Sequence, residues 1–173
     1  MAVLNPDHLL DQAARLLTAP GGVGAPRQAD LRRAISTAYY GLFHAIVTHL
    51  ADDFGGKTKR NTLRYELLYR SIDHRALKRI CNDITKRTLP ERYLRYLPPG
   101  GFGTDIEAVA TAIVDLQEKR HQADYDPRFR VSASDASLAI KTAQTALQRL
   151  RSASRARQKA FNNLLLFSPE RAR

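Results

Sequence analysis

Tryptophan is absent from this 173-residue chain, and cysteine and methionine occur once each. A lone cysteine, Cys81, excludes an internal disulfide framework. In "LKRICNDI" it reads as a small core residue suited to a reducing compartment. No window approaches about 18 consecutive apolar residues, which excludes a bilayer-spanning helix. The start, "MAVLNPDHLL", has neither the basic opening nor the long apolar run of a secretory signal. A soluble, cytoplasmic protein with no membrane association is expected. Strand-like alternation is never sustained, and no repeat of about 20–50 residues is visible. The five histidines and one cysteine show no metal-ligand spacing. "PGGVGAP" and "PPGGFG" are turn punctuation without a following phosphate-cradling signature, so no metal or cofactor is expected.

Acidic residues are also scarce, 17 against 28 Lys and Arg, for a net charge of +11. Such an excess favours an anionic partner, of which nucleic acid is the commonest, ahead of a membrane surface or an acidic protein. The excess is segregated: residues 57–95 carry +8 and residues 149–173 carry +6, while the two remaining blocks are slightly acidic. A concentrated block makes a better anion footprint than scattered charge, which draws attention to Lys57, Lys59, Arg60 and Arg64, although a solvated helix face has the same composition.

What is present is helical. At 43% apolar, the chain has enough core-forming residues for one folded domain. In "NPDHLLDQAARLL", Asn5 is placed to cap a helix that begins at Pro6, where the missing N–H costs nothing. "APGGVGAP" breaks that helix. A long helix follows from about Gln28 to Asp53, before Gly55-Gly56. Residues 58–86 read as two shorter helices, or one bent near "SIDHR", with Leu63, Leu67, Leu77, Ile80 and Ile84 as core candidates. After a Pro/Gly-rich excursion, Thr104 and Glu107 show capping-box spacing for a helix that should stop before Pro127. Ser132 or Ser134 is placed to cap the last long helix. The expected architecture is an all-α, up-and-down bundle of about five helices over residues 1–150, with a basic C-terminal extension over 151–173. That extension, with its apolar run Leu164 to Phe167, reads as a helix packing on the bundle or on a partner subunit, or as a frayed end.

Two helices carry unusual content. At 100° per residue, Arg120 falls within about 40° of Ile106, inside the apolar seam of its own helix, and Asp124 returns to the same direction. His121 and Tyr125 lie just beside that seam. Arg is rarely buried without a partner. Either Asp124 supplies one in a helix-terminal ion pair, or Arg120 lines a polar cleft where its fork binds phosphate. On the long second helix, Leu31, Ile35, Ala38, Leu42, Ala45 and His49 share a stripe, and His49 reads as a satisfied core histidine. Arg33, Tyr40 and His44 occupy the opposite side, a second contact surface expected of a bundle that dimerises.

The stretch "RRAISTAYYGLFHA" (Arg33, Ala34, Ser36, Ala38, Tyr39, Tyr40, Phe43, His44) resembles the signature helix of the HEPN superfamily. "RHQADYDP" lies where that family carries its arginine-to-histidine motif. The two motifs and their surroundings cover roughly residues 5–150. The resemblance implies a HEPN-like fold and a homodimer in which motif helices of two subunits form a composite cleft. It also implies RNA or a nucleotide as ligand and, in many members, a nucleotidyltransferase antitoxin as partner. Active members cut RNA without a metal; others act as RNA-binding or regulatory modules. Arg120 matches the motif arginine and His121 its polar position, but Tyr125 stands where the histidine belongs.

That difference has a chemical cost. Metal-independent cleavage needs the 2′-hydroxyl deprotonated, the leaving oxygen protonated and the phosphorane charge stabilised. Arg120 suits the last task. A histidine titrating near 6.5 suits the proton transfers far better than a tyrosine near 10, and such transfers are worth about 10²–10⁴-fold. The catalytic candidates are therefore Arg120, His121, Tyr125 and His44. The RNA-binding candidates are Arg120, Lys57, Lys59, Arg60 and Arg64, and the interface candidates are Asp124 and Tyr40. The expected function is an RNA-associated HEPN-type dimer of a prokaryotic toxin–antitoxin or defence pair, with weak or absent nuclease activity. The alternatives are an active metal-independent endoribonuclease toxin and a protein-interaction module without a nucleic-acid role, so the motif leaves open whether the protein is an enzyme.

Overall fold

The computed structural model describes residues 4–167. Among them there are eight α-helices and no strand: α1 (Pro6–Arg15), α2 (Gln28–Gly55), α3 (Leu63–Arg70), α4 (His74–Ile84), α5 (Glu91–Leu94), α6 (Gly103–Tyr125), α7 (Ala133–Ser152) and α8 (Arg155–Leu166). None of these helices is long and apolar enough to cross a membrane. The all-α expectation holds. The helix number exceeds five because residues 58–86 divide at Ser71–Asp73, the Pro/Gly-rich excursion contains the single turn α5, and the tail forms α8.

Helix α2 is the axis of the molecule, packed against α1, α3, α6 and α7. Its sequence explains why. Leu31, Ile35, Ala38, Leu42, Ile46 and Leu50 are all buried along one side, and Ala34, Ala45 and Ala51 let neighbouring helices approach on others. Burying each large aliphatic side chain contributes about 1.5–3 kcal/mol. The helix stops at Gly56, whose φ of 90° is natural only for glycine and whose N–H closes the last turn on Asp52. Asn5 caps α1 through the Asp7 N–H. Ser132 and Asp135 form a reciprocal capping box on α7.

Three sequence expectations need correction. Leu77, Ile80 and Ile84 are buried, but Leu63 and Leu67 are 80% and 72% exposed. The eight-residue α3 turns Tyr65 inward instead, where its hydroxyl donates to Asp52 at 2.8 Å. Thr104 does not cap α6, which starts two residues earlier than that cap requires: buried Phe102 takes the N-cap position before Gly103, and Thr104 falls inside the first turn. Finally, the tail is no frayed end within the described residues. Helix α8 buries Phe161, Leu164 and Leu165 in the common core, and Asn162 and Arg155 both donate to the buried Asp53 of α2. The last six residues, 168–173, lie outside the described residues.

Candidate nucleic-acid interface around Arg120

The site forms where the first half of α2 meets the last two turns of α6. Two side chains of α2 hold that end of α6 in place. Arg32 donates from Nε to the Ala123 carbonyl at 2.6 Å and from Nη2 to the Asp126 carbonyl at 2.7 Å, satisfying oxygens that the ending helix leaves open. Gln28 exchanges a pair of hydrogen bonds with the backbone of Val131, at 2.7 and 3.0 Å, fixing the loop beyond Pro127. Proline therefore ends α6 as expected, and α2 decides where that end lies.

Within this frame Arg120 is only 18% exposed. Its Nη2 donates to the Tyr40 hydroxyl at 2.8 Å, and its guanidinium carbon lies 5.4 Å from the Tyr40 ring centroid and 5.5 Å from that of Tyr125. The Asp124 carboxylate lies 2.7 Å from Nε, but off the N–H direction, so the pair is close without being hydrogen-bonded there. Asp124 instead accepts from the Ser36 hydroxyl at 2.5 Å. The ion pair and the polar cleft thus coexist. Asp124 neutralises Arg120 yet occupies little of its fork. Burial works against the guanidinium's charge, but Tyr40, Asp124 and Tyr125 outweigh it and hold the pKa above its ordinary value.

A ring of aromatic and imidazole groups adjoins Arg120. Tyr40 stacks on His44 with centroids 6.4 Å apart, and His44 Nδ1 lies 2.7 Å from the Tyr69 hydroxyl. His74, the first residue of α4, presents Nδ1 at 2.8 Å from the buried Tyr39 hydroxyl and packs its ring 4.0 Å from that of Phe43. Burial lowers the pKa of His44, with His74 adding to the effect; burial and then the Arg120 charge lower that of His74. Both imidazoles are therefore neutral at pH 7. The second contacted face of α2 is met within the chain, by α3 and α4, so Tyr40 and His44 do not by themselves call for a second copy.

Not every sequence candidate joins this cluster. His121 and Tyr125 pack at a 50° tilt with ring centroids 5.1 Å apart on the solvent side; Tyr125 is 63% exposed and meets the cluster only through Arg120, while His121 lies outside it. Lys57, Lys59, Arg60 and Arg64 lie past the far end of α2. Tyr40 and Asp52 are twelve residues apart, about 18 Å along that helix, and Arg60 is fixed on Asp52 by bonds of 2.9 and 2.6 Å. Arg64 reaches only the Phe54 carbonyl, at 3.4 Å. Sequence reading missed His74, Gln117 and the α4 cations. Gln117, one turn before Arg120, donates to the His74 carbonyl while its own Oε1 is buried without a partner. It also borders an open groove of about 620 Å³ lined by Arg75, Lys78, Arg79 and Lys86. A second shallow groove, about 450 Å³, begins at Asp124 and runs past Arg32 and Arg33. The helical phase of "HRALKRICNDI" carried the signal for the α4 groove, since its buried side leaves Arg75, Lys78 and Arg79 on one outward face.

Chemically, the arrangement offers a desolvated, partly unsatisfied guanidinium between two cation-lined grooves, with neutral imidazoles one ring away. Comparison with known protein families, characterised proteins and solved structures finds no match. The fold is of the all-α helical-bundle class, with a basic groove along α4.

Proposed function

We propose that the chain is an RNA-associated, HEPN-type protein that acts as a homodimer in a prokaryotic toxin–antitoxin or defence pair, with weak or absent nuclease activity. The observation that carries this reading is the incomplete engagement of Arg120: Nη2 donates to Tyr40, the buried Nε has no hydrogen-bond partner, and the 18% of the side chain that stays exposed, beside the grooves bordered by Gln117 and Asp124, is the edge a phosphate would meet. Arg75, Lys78 and Arg79 extend the track electrostatically along α4, while Lys59 and Arg64 make a more distant basic surface. Tyr125 at the motif's histidine position, largely exposed and beside the exposed His121, accounts for the loss of proton-transfer power. A nucleotidyltransferase antitoxin is the partner that the family resemblance brings to this reading.

A second reading, a working metal-independent ribonuclease, is favoured by one observation: neutral His44 and His74 flank the ring that Arg120 contacts. One assay separates the two. Purified protein incubated with single-stranded RNA in EDTA retards the RNA intact on the first reading. Cleavage that disappears in Arg120→Ala establishes the second instead. Neither retardation nor cleavage overturns both and leaves a protein-interaction module.

A further inference from the structure

Leu63 and Leu67 of α3 both stand almost fully in solvent. A single exposed leucine is ordinary, but these two share one ridge, because residues four apart differ in direction by only about 40°. Arg70, seven residues after Leu63, returns to the same line. The frame beneath the ridge is fixed. On the opposite side of α3 the Tyr65 hydroxyl donates to Asp52 at 2.8 Å, and the Tyr69 hydroxyl lies 2.7 Å from His44 Nδ1. Leu68 and Tyr65 close on Gly55 of α2, where a Cβ would meet each of them at 3.1 Å. With α3 tied to α2 in this way, Leu63 and Leu67 cannot turn inward. Their ridge belongs to the native surface, and adjoining exposed apolar side chains mark a contact site.

Charge decides what covers it. Lys59 and Arg64 are exposed beside the ridge, and among the described residues neither pairs with a carboxylate; Arg64 meets only the Phe54 carbonyl, at 3.4 Å. A second copy of the chain offers the ridge no free carboxylate, since its own Glu66 is already held by Arg70 at 3.2 Å. An RNA strand answers the cations but not the leucines, and both tyrosines of α3 are turned inward, away from any base that could stack on them. A bilayer answers the leucines, but Arg70 lies on their line and two helical turns give little apolar face. A helix with an apolar stripe between carboxylates answers both features at once.

We infer that α3 docks an acidic amphipathic helix of another protein, whose apolar stripe packs along Leu63 and Leu67 and whose carboxylates reach Lys59 and Arg64. The inference assigns Lys59 and Arg64 to a protein rather than to RNA, and it stands whether or not Arg120 binds RNA.

Fluorescence-anisotropy titration of the full chain with a labelled synthetic helix tests it. The probe is about 20 residues long, with a leucine stripe flanked by glutamates and alanine elsewhere; a control peptide carries serine in place of the leucines at the same charge. The leucine peptide is expected to bind with the micromolar affinity of a small interface, and the serine peptide about ten-fold more weakly. Leu63→Ser combined with Leu67→Ser should weaken the leucine peptide at least about ten-fold and leave Tm unchanged. Arg64→Ala should weaken it about three-fold. Leu138→Ser, at an exposed leucine of α7, should change nothing. Equal binding of the two peptides, or binding that the double variant leaves intact, would overturn the inference. So would a double variant with a lowered Tm, which shows that the chain itself covers the leucines. Three other losses in the double variant reassign the ridge and equally overturn it: of a dimer in light scattering, to a second copy; of binding to vesicles of anionic lipid, to a membrane; and of single-stranded RNA binding, to RNA.

Discussion

Replacing Asp124 with asparagine should make the protein less stable and its RNA binding tighter, a pairing of opposite signs that few substitutions give. The carboxylate pairs with Arg120 at 2.7 Å, with side-chain exposures of 18% for Arg120 and 24% for Asp124. Asparagine keeps an oxygen for the Ser36 hydroxyl, so the bond at 2.5 Å is weakened rather than lost. Removing one side of a fully buried pair costs about 3–5 kcal/mol and breaking an exposed one under about 1. This mostly buried but poorly aligned pair falls between, at about 1–2 kcal/mol. That lowers Tm by roughly 2–8 °C in a chain of this size. For RNA the effect reverses. A phosphate held on the open side of the guanidinium sits about 7 Å from the carboxylate, and at an effective dielectric of about 40 their repulsion is about 1.2 kcal/mol. Its removal tightens binding about seven-fold. Differential scanning fluorimetry and fluorescence-anisotropy titration with labelled single-stranded RNA read the two effects. If Asp124→Asn loses stability and RNA affinity together, the carboxylate builds the site instead of competing with its ligand, and the cleft argument fails.

Two further outcomes follow from other parts of the molecule. His44, His49 and His74 all have pKa values below the ordinary 6.5, chiefly through burial. The unfolded chain therefore takes up protons first, and stability is full above about pH 6.5 and falls as pH drops through the lowered folded values. Asp52 and Asp83, held below their ordinary 3.8 because Arg60 and Tyr65, and Lys86 and Tyr93, outweigh burial, act only in more acidic solution. A Tm that stays flat between about pH 7 and pH 5 would contradict the neutral imidazoles. Gly103→Ala should lower Tm, because φ is +71° and a Cβ there meets the Arg157 guanidinium at 2.5 Å. The left-handed conformation alone costs about 1–2 kcal/mol, and an unchanged Tm would contradict this start to α6.

The long periodic helices were legible in the sequence because their apolar spacing, caps and breakers agree. Asn5, Ser132, Gly56 and Pro127 each mark an end that the structure keeps. Where the signals were short, tertiary packing decided. Leu63 and Leu67 have core spacing, yet α3 has only two turns and Asp52 draws Tyr65 inward in their place. Thr104 and Glu107 have capping spacing, but Phe102 is anchored in the core and starts the helix earlier. For the site, the angular position of Arg120 on its seam was readable, as was its proximity to Asp124. The approach of His74 was not, because it depends on how α4 docks across α2 thirty residues earlier in the chain. Nor was the separation of Lys57 and Arg60 from Arg120, since a block of charge in sequence says nothing about which end of a long helix it folds against.

Salt dependence of RNA binding in Arg120→Gln probes the phosphate role of Arg120 most directly. Each phosphate contact on a single strand contributes about 0.7 to the slope of log K against log salt. The account predicts weaker binding at every salt concentration and a slope shallower by about that amount. An unchanged affinity and slope, in a variant that still folds, would show that Arg120 serves the bundle and touches no phosphate.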